Sequence, residues 1–324
     1  RHMAVDISNR PPIFQLLRMS QDLGQSYLNN GLNFTPTIHH DTYPYIDPAR
    51  SDLSGKYVFI TGASKGVGKV IALSYAKAGA AGIALGARSP LGPVVDEIIE
   101  AARSAGREEP RVVTLRLDVT DRASVESAAR DVSEIFDGRL DVLINNAGYL
   151  SPFAGIPDTD PDDWWRDWEV NVKGVYLVTR SFWPLLLKST LRIIINVTSM
   201  GALMTPAHGT AYGGAKLAGM HFTEHVNKDH GAGKDSMLVI AVHPGAVKTE
   251  LALGLPEDYH EILNDEPALA GDTMVWLTRG RREWLGGRYI SANWDMEQLS
   301  GKREEIEKGE LLKLRLAVNT FPTP

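Results

Sequence analysis

Cysteine is absent from the 324 residues. Disulfides, a thiol nucleophile and every cysteine-ligated metal or iron–sulfur site are thereby excluded. Long apolar runs are missing too. Stretches such as 191–197 fall far short of the ~18 residues that a membrane helix needs, so no membrane association is expected. There is no excess of positive charge: 34 Lys and Arg stand against 40 Asp and Glu, a net charge of −6. Such a chain has no bulk attraction for nucleic acid or anionic lipid. No secretory signal is visible, and a cytoplasmic location is the expectation. What is present is ordinary for a globular chain, with 43% hydrophobic and 23% charged residues. The length admits one large domain or two modest ones.

Residues 1–50 read differently from the rest. Arg1-His2-Met3 resembles a cloning remnant before a start at Met3, so His2 is set aside. Ile13–Leu23 has helical periodicity after Pro12, and the remainder, with Pro36, His39-His40, Pro44 and Pro48, reads as an extended arm. From Lys56 onward short apolar runs alternate with amphipathic stretches. Strands are expected at 57–60, 83–85, 112–117, 142–144, 192–197, 237–242 and 288–290. Helices are expected at 67–78, 91–105, 121–136, 160–188, 212–229 and 267–278. This alternation predicts an α/β fold: a Rossmann-type, doubly wound, seven-stranded parallel sheet with helices on both faces, in a single domain over 51–300. The segment 301–324 is charged and then apolar, and a helical tail is expected there.

Thr61-Gly62-Ala63-Ser64-Lys65-Gly66-Val67-Gly68 lies between the first strand and its helix. A pyrophosphate has to approach bare backbone at a helix N-terminus, where free N–H groups and the dipole favour negative charge. Glycines permit that approach. A glycine turn by itself is only a tight turn, but this one opens the first strand–helix unit of a parallel series, which favours a dinucleotide site. Gly62, Ser64, Lys65, Gly66, Val67 and Gly68 are therefore candidate cofactor ligands. An acid about 20 positions on holds the ribose 2′-hydroxyl of NAD, whereas an Arg accommodates the 2′-phosphate of NADP. Position 88, 20 residues after Gly68, is Arg88, followed by Ser89. With Lys65 as a second cation, two charge-assisted hydrogen bonds of roughly 1.5–3 kcal/mol each would favour NADP(H) by about two orders of magnitude or more.

Tyr212 and Lys216 stand four apart and share one face if helical. A tyrosine hydroxyl ordinarily titrates near 10, and a neighbouring cation lowers it. The expectation is a phenol made acidic enough by Lys216 to exchange protons. A Tyr-x-x-x-Lys pair on its own is commonplace. Here it stands among several further motifs in order, and the chain from about Leu53 to Asp295 resembles the short-chain dehydrogenase/reductase family. The motifs are Thr61–Gly68, Asp118-Val119, Asn145-Asn146-Ala147-Gly148, Asn171 in Asn-Val-x-Gly, Ser199 thirteen residues before Tyr212, and Pro244-Gly245 followed by Val247 and Thr249.

The resemblance implies roles. Tyr212 would give the proton to a carbonyl oxygen, Ser199 would polarise that oxygen, Lys216 would hold the nicotinamide ribose and lower the tyrosine pKa, and Asn171 would keep the geometry and a water relay. Asp118 and Val119 would face the adenine. Asn146, Ala147 and Gly148 would support the cofactor, and Pro244, Gly245, Val247 and Thr249 would position the nicotinamide. Tyr149, Met200, Leu203 and His208 are the candidate substrate contacts, and no metal site is expected.

The implied activity is NADP(H)-dependent interconversion of a ketone and a secondary alcohol on a small-to-medium, apolar or polycyclic metabolite, by a homodimer or homotetramer. A dinucleotide-binding scaffold or sensor without turnover, or a reductase fold turned to cyclisation or dehydration, are the competing readings; intact Ser199, Tyr212 and Lys216 argue against a sensor. The long arm and the tail depart from the family pattern. The ending around Trp284–Asp295 resembles a branch of fungal reductases, many near secondary-metabolite pathways. The short lid, 249–267, suggests an open pocket.

Overall fold

The structure, a computed structural model, describes residues 31–316. The helix expected at 13–23, the start at Met3 and the last eight residues of the tail lie outside that range. Seven strands form one parallel sheet: β1 (Tyr57–Thr61), β2 (Gly82–Ala87), β3 (Arg111–Arg116), β4 (Val142–Asn145), β5 (Ile193–Val197), β6 (Leu238–His243) and β7 (Tyr289–Ser291). Their order across the sheet is 3-2-1-4-5-6-7. Between them run α1 (Gly66–Lys77), α2 (Gly92–Ser104), α3 (Arg122–Ile135), α4 (Pro161–Trp168), α5 (Val175–Leu186), α6 (Thr210–His230) and α7 (Pro267–Thr278).

Strands covered on both faces must be apolar throughout, and β2, β4 and β6 are buried at every position. Alternate residues of β1 serve opposite layers. Val58 and Ile60 join Ile71, Ile98 and Trp276 under α1, α2 and α7. Phe59 joins Val125, Val132, Val178 and Phe182 under α3 and α5, stacking on Phe182 at 4.3 Å. The expected seven-stranded doubly wound sheet is thus what forms. Strand order reverses between β1 and β4, and in such sheets a ligand crevice opens there, beyond the carboxyl ends of the strands.

Two expectations are corrected. The helix anticipated at 160–188 is not continuous. Asp160 caps α4 by accepting from the Asp162 and Asp163 amides, but Glu169–Gly174 is a π-helical turn before α5 resumes. Among the described residues the tail is helical only over α8 (Met296–Gly301) and α9 (Arg303–Lys308). Beyond Gly309 it turns back, because the edge strand β7 needs an acceptor for its outer amide: Tyr289 N donates to Leu312 O at 2.8 Å. Leu312 and Leu314 pack on the core beneath. Among the described residues no helix is long and apolar enough to cross a membrane.

Candidate active site

The crevice is lined first by the glycine turn. Gly62 and Gly66 have positive φ (68° and 55°), and a Cβ on Gly68 would stand 2.3 Å from Gly62 O. The turn is pinned from β4. Asn146 Nδ2 donates to Thr61 O at 2.9 Å and to Gly62 O at 3.2 Å, while the Asn146 and Ala147 amides both donate to Thr61 Oγ1 at 3.0 Å. No side chain caps the N-terminus of α1 and no acid occupies its first turn. An uncapped helix start inside a glycine cradle suits a diphosphate, so the residues fit a dinucleotide. Asn146 acts as the anchor of the turn, with its amide spent on backbone. Val67 leans on the core, and Ser64 is half-buried on the turn.

At the tip of β2, Arg88 and Ser89 are exposed. They line a cavity of about 280 Å³ together with Leu91 and Arg116. Arg116 was not anticipated; strand register brings it there, opposite Ala87. Lys65 departs from expectation. Its Nζ lies 2.5 Å from Glu250 Oε2, so it is paired with the segment after Thr249. Asp118 turns back on its own loop, its Oδ1 accepting from Thr120 N and Oγ1 at 2.9 and 2.8 Å. Burial pushes its carboxyl up, but the Thr120 hydrogen bonds and the nearby Arg88 and Arg166 outweigh that and hold it low. Val119 packs against Gly174, where a Cβ would come within 2.8 Å of it.

Ser199, Tyr212 and Lys216 converge at the other end of the crevice. Tyr212 and Lys216 share a face of α6, with the Lys216 Nζ 5.7 Å from the Tyr212 ring centroid. The Ser199 side chain lies close enough to the Tyr212 hydroxyl to draw its pKa down. Ser199 precedes a short 3-10 turn and accepts from Gly201 N at 3.1 Å. Lys216 is buried, donating to Val197 O at 3.0 Å. The electrostatics differ from the sequence-based expectation. Burial pushes the Tyr212 hydroxyl up to about 12, with Ser199 pulling down and Asp167 pushing further up. Lys216 is itself drawn down to about 8 by burial. The phenol therefore holds its proton firmly at neutral pH.

Asn171 lies in the π turn. Its Nδ2 donates to Tyr149 O at 2.8 Å and its Oδ1 accepts from Tyr149 N at 3.2 Å. A π turn at a functional position is a recurrent device, and here it sets the asparagine amide against the strand β4 exit. A Cβ on Gly148 would stand 3.3 Å from Asn171 Oδ1 and 3.7 Å from Lys216 Nζ, so glycine keeps open the space they share. Sequence reasoning missed Asp167. It is fully buried, accepting from Ser151 N at 3.0 Å and Asn171 Nδ2 at 3.1 Å. Burial holds its carboxyl above the ordinary range, with Lys216 among the groups opposing that. The signal was its four-residue spacing from Asn171.

The 244–249 turn closes the site. Gly245 has φ 91°, Val247 is buried, and Thr249 Cγ2 stands against Gly66. His243, which precedes it, is buried and drawn down to about 4 by burial. Its Nδ1 accepts from Met200 N at 3.3 Å, which braces the residue after Ser199. Of the substrate candidates, Tyr149 gives its hydroxyl to Asp163 at 2.8 Å, and His208 (φ 66°) faces Gly155. Leu203 packs on the core beside Gly31 of the arm, so packing accounts for it. The lid meets the 149–155 loop at Leu150 with Gly254 and at Phe153 with Tyr259. Leu251 and Leu253 are exposed on it. Among the described residues no group of three or more acidic or imidazole side chains is arranged to hold a metal ion.

A doubly wound sheet with a glycine cradle at its switch point and this polar cluster beside it defines a nicotinamide-dependent oxidoreductase. Residues 56–260 match the short chain dehydrogenase family. A short chain dehydrogenase of Monascus purpureus is 46% identical over 288 residues, covering 89% of this chain and 98% of that one. Another, from Monascus ruber, is 46% identical over 285 residues, 87% and 93% of the two chains. Among solved structures, a short-chain type dehydrogenase/reductase from Mycobacterium marinum superposes with a TM-score of 0.65 at 27% identity, covering 76% of this chain and 97% of that chain. The chain belongs to the short-chain dehydrogenase/reductase family, whose members use NAD(P), and its relatives include fungal enzymes of the branch suggested by its ending.

Proposed function

We propose that this protein is an NADP(H)-dependent reductase that interconverts a ketone and a secondary alcohol, working chiefly in the reductive direction. The observation that carries the reading is the meeting of Ser199, Tyr212 and Lys216 beside the glycine cradle. The bound nicotinamide supplies or accepts the hydride. The chain's own residues do the rest. The Ser199 hydroxyl orients and polarises the carbonyl oxygen, which lowers the cost of charge developing there. Tyr212, whose burial keeps its proton in place at neutral pH, delivers that proton to the oxygen. A strongly held phenolic proton suits reduction better than oxidation. Lys216, still largely an ammonium at neutral pH with a value of about 8, binds the ribose. Asn171 holds the exit from β4 and the proton path behind Lys216.

Preference for NADP(H) rests on Arg88, with Arg116 beside it, and on the absence of an acid at the β2 tip. Lys65 contributes less than its position suggests, being paired with Glu250. The exposed Leu251 and Leu253 on the lid favour a bulky apolar substrate, which would cover them. We further infer a catalytic body over 51–300 flanked by arm and tail, a cytoplasmic homodimer or homotetramer, and, from the fungal relatives, a place in secondary metabolism. An NADPH-oxidation screen across ketones and quinones, with the alcohol identified and counted against NADPH, tests the reading. One alcohol per NADPH is expected. Product formed without NADPH consumption, or binding without turnover across the panel, refutes it.

A further inference from the structure

The arm and its His39-His40 pair play no part in the function described so far. Their placement ties them to the crevice. The arm runs along the exit from β7: Ile38 bridges to Trp294, His39 N donates to Asn293 O at 2.7 Å, and His39 Nε2 pairs with Asp295 at 2.8 Å. His40 continues this path, its carbonyl accepting from Glu266 N at 2.7 Å. Its ring meets Asp265, with Nδ1 2.5 Å from Oδ1.

Asp265 is the hub. Its side chain is 2% exposed, against 58% for His40. Its Oδ2 accepts from Ala246 N at 2.5 Å and from Asn293 Nδ2 at 2.8 Å. Its own amide donates to Ala246 O at 3.2 Å, and it bridges to Val247. A Cβ on Gly245 would fall 2.8 Å from the same oxygen. The carboxylate therefore fixes the turn that carries Gly245, Ala246 and Val247. Among the described residues His40 is the side chain that holds its other oxygen. A buried carboxylate that loses a partner must shift or admit water, and either motion is passed to the turn it grips.

We propose that the arm is part of the cofactor-binding apparatus, with His40 a positioning residue that acts through Asp265 to set the 244–249 turn for the nicotinamide. This rests on the reading of that turn given above. The arm's remaining anchors, including Thr42 Oγ1 to Asp272 at 2.5 Å, keep it docked when the exposed imidazole is removed.

The test compares the full-length wild type, His40→Ala and His40→Asn. The asparagine amide nitrogen stands where the histidine Nδ1 stood. NADPH and NADH affinities are measured by titration calorimetry, hydrogen exchange over 245–249 is followed without cofactor, and melting temperatures are recorded. In His40→Ala, affinity for both cofactors should fall by roughly tenfold, exchange over the turn should quicken, and His40→Asn should restore both. A merely structural role would lower the melting temperature and leave affinity alone. Unchanged affinity in His40→Ala, or a loss that asparagine does not restore, overturns the inference. A wild type that binds neither cofactor overturns the reading of the site and this inference with it.

Discussion

Replacing Asp167 by asparagine isolates the charge of a buried group while keeping its shape. The carboxylate accepts from Ser151 N and Asn171 Nδ2. An amide has one acceptor atom, so one of those donors faces an NH2 group, a loss of about 1–3 kcal/mol. The second effect is electrostatic. Asp167 favours the ammonium of Lys216, which burial has drawn down to about 8. Without that charge Lys216 falls further. A fall of about one unit, ~1.4 kcal/mol, would cut the charged fraction at pH 7.5 roughly threefold and leave it nearly unchanged at pH 6. The assay is kcat/KM for NADPH-dependent reduction between pH 6 and 9, with melting temperatures alongside. The alkaline limb should move to lower pH. A profile lowered uniformly, with its limb in place, would refute the coupling between Asp167 and Lys216 and leave Asp167 a purely structural acid.

Arg88→Glu should weaken NADPH binding about a hundredfold and barely affect NADH, whereas Lys65→Ala, which breaks an exposed ion pair, should change both by less than about fivefold; paired titrations decide, and equal losses for the two cofactors in Arg88→Glu contradict the assignment. Gly68→Ala forces a methyl to within 2.3 Å of Gly62 O and 2.5 Å of Asn146 Nδ2, so it should destabilise by about 1–3 kcal/mol and abolish measurable cofactor binding, with unfolding and binding curves as the check. Lys216 also bears on pH-dependent stability. Its value of about 8 in the folded chain lies below the ordinary 10.5, so the unfolded chain binds more protons between those values and stability rises with pH there, by about 3 kcal/mol in all. Urea unfolding from pH 7 to 10 should show that rise in wild type and lose it in Lys216→Met.

The sheet was legible because its strands are buried on both faces and read as unbroken apolar runs, as 142–144 and 238–242 do, until the polar residues Asn145 and His243 at their carboxyl ends. The glycine turn and the Tyr212–Lys216 face were legible because local backbone geometry dictates residue type. The π turn was not, since the apolar spacing of 160–188 continues through it. Asp167 looked like one more acid in a helix start rich in them, with Asp162 and Asp163 beside it; only the fold reveals that it alone is buried. The pairing of Lys65 with Glu250 joins positions 185 apart, and that of His40 with Asp265 joins positions 225 apart. Neither leaves a local mark. The burial around Tyr212 was not legible for a related reason: spacing reveals a neighbouring cation, but burial, which pushes the hydroxyl up, is a property of the assembled crevice.

The most direct measurement is single-turnover reduction of a panel-identified ketone by Tyr212→Phe with NADPH already bound, its affinity determined in the same preparation. The phenyl ring keeps the packing and lacks the proton. Affinity within about twofold of wild type and a rate lower by roughly 100- to 10,000-fold are expected. A rate within tenfold of wild type would contradict a proton supplied by Tyr212.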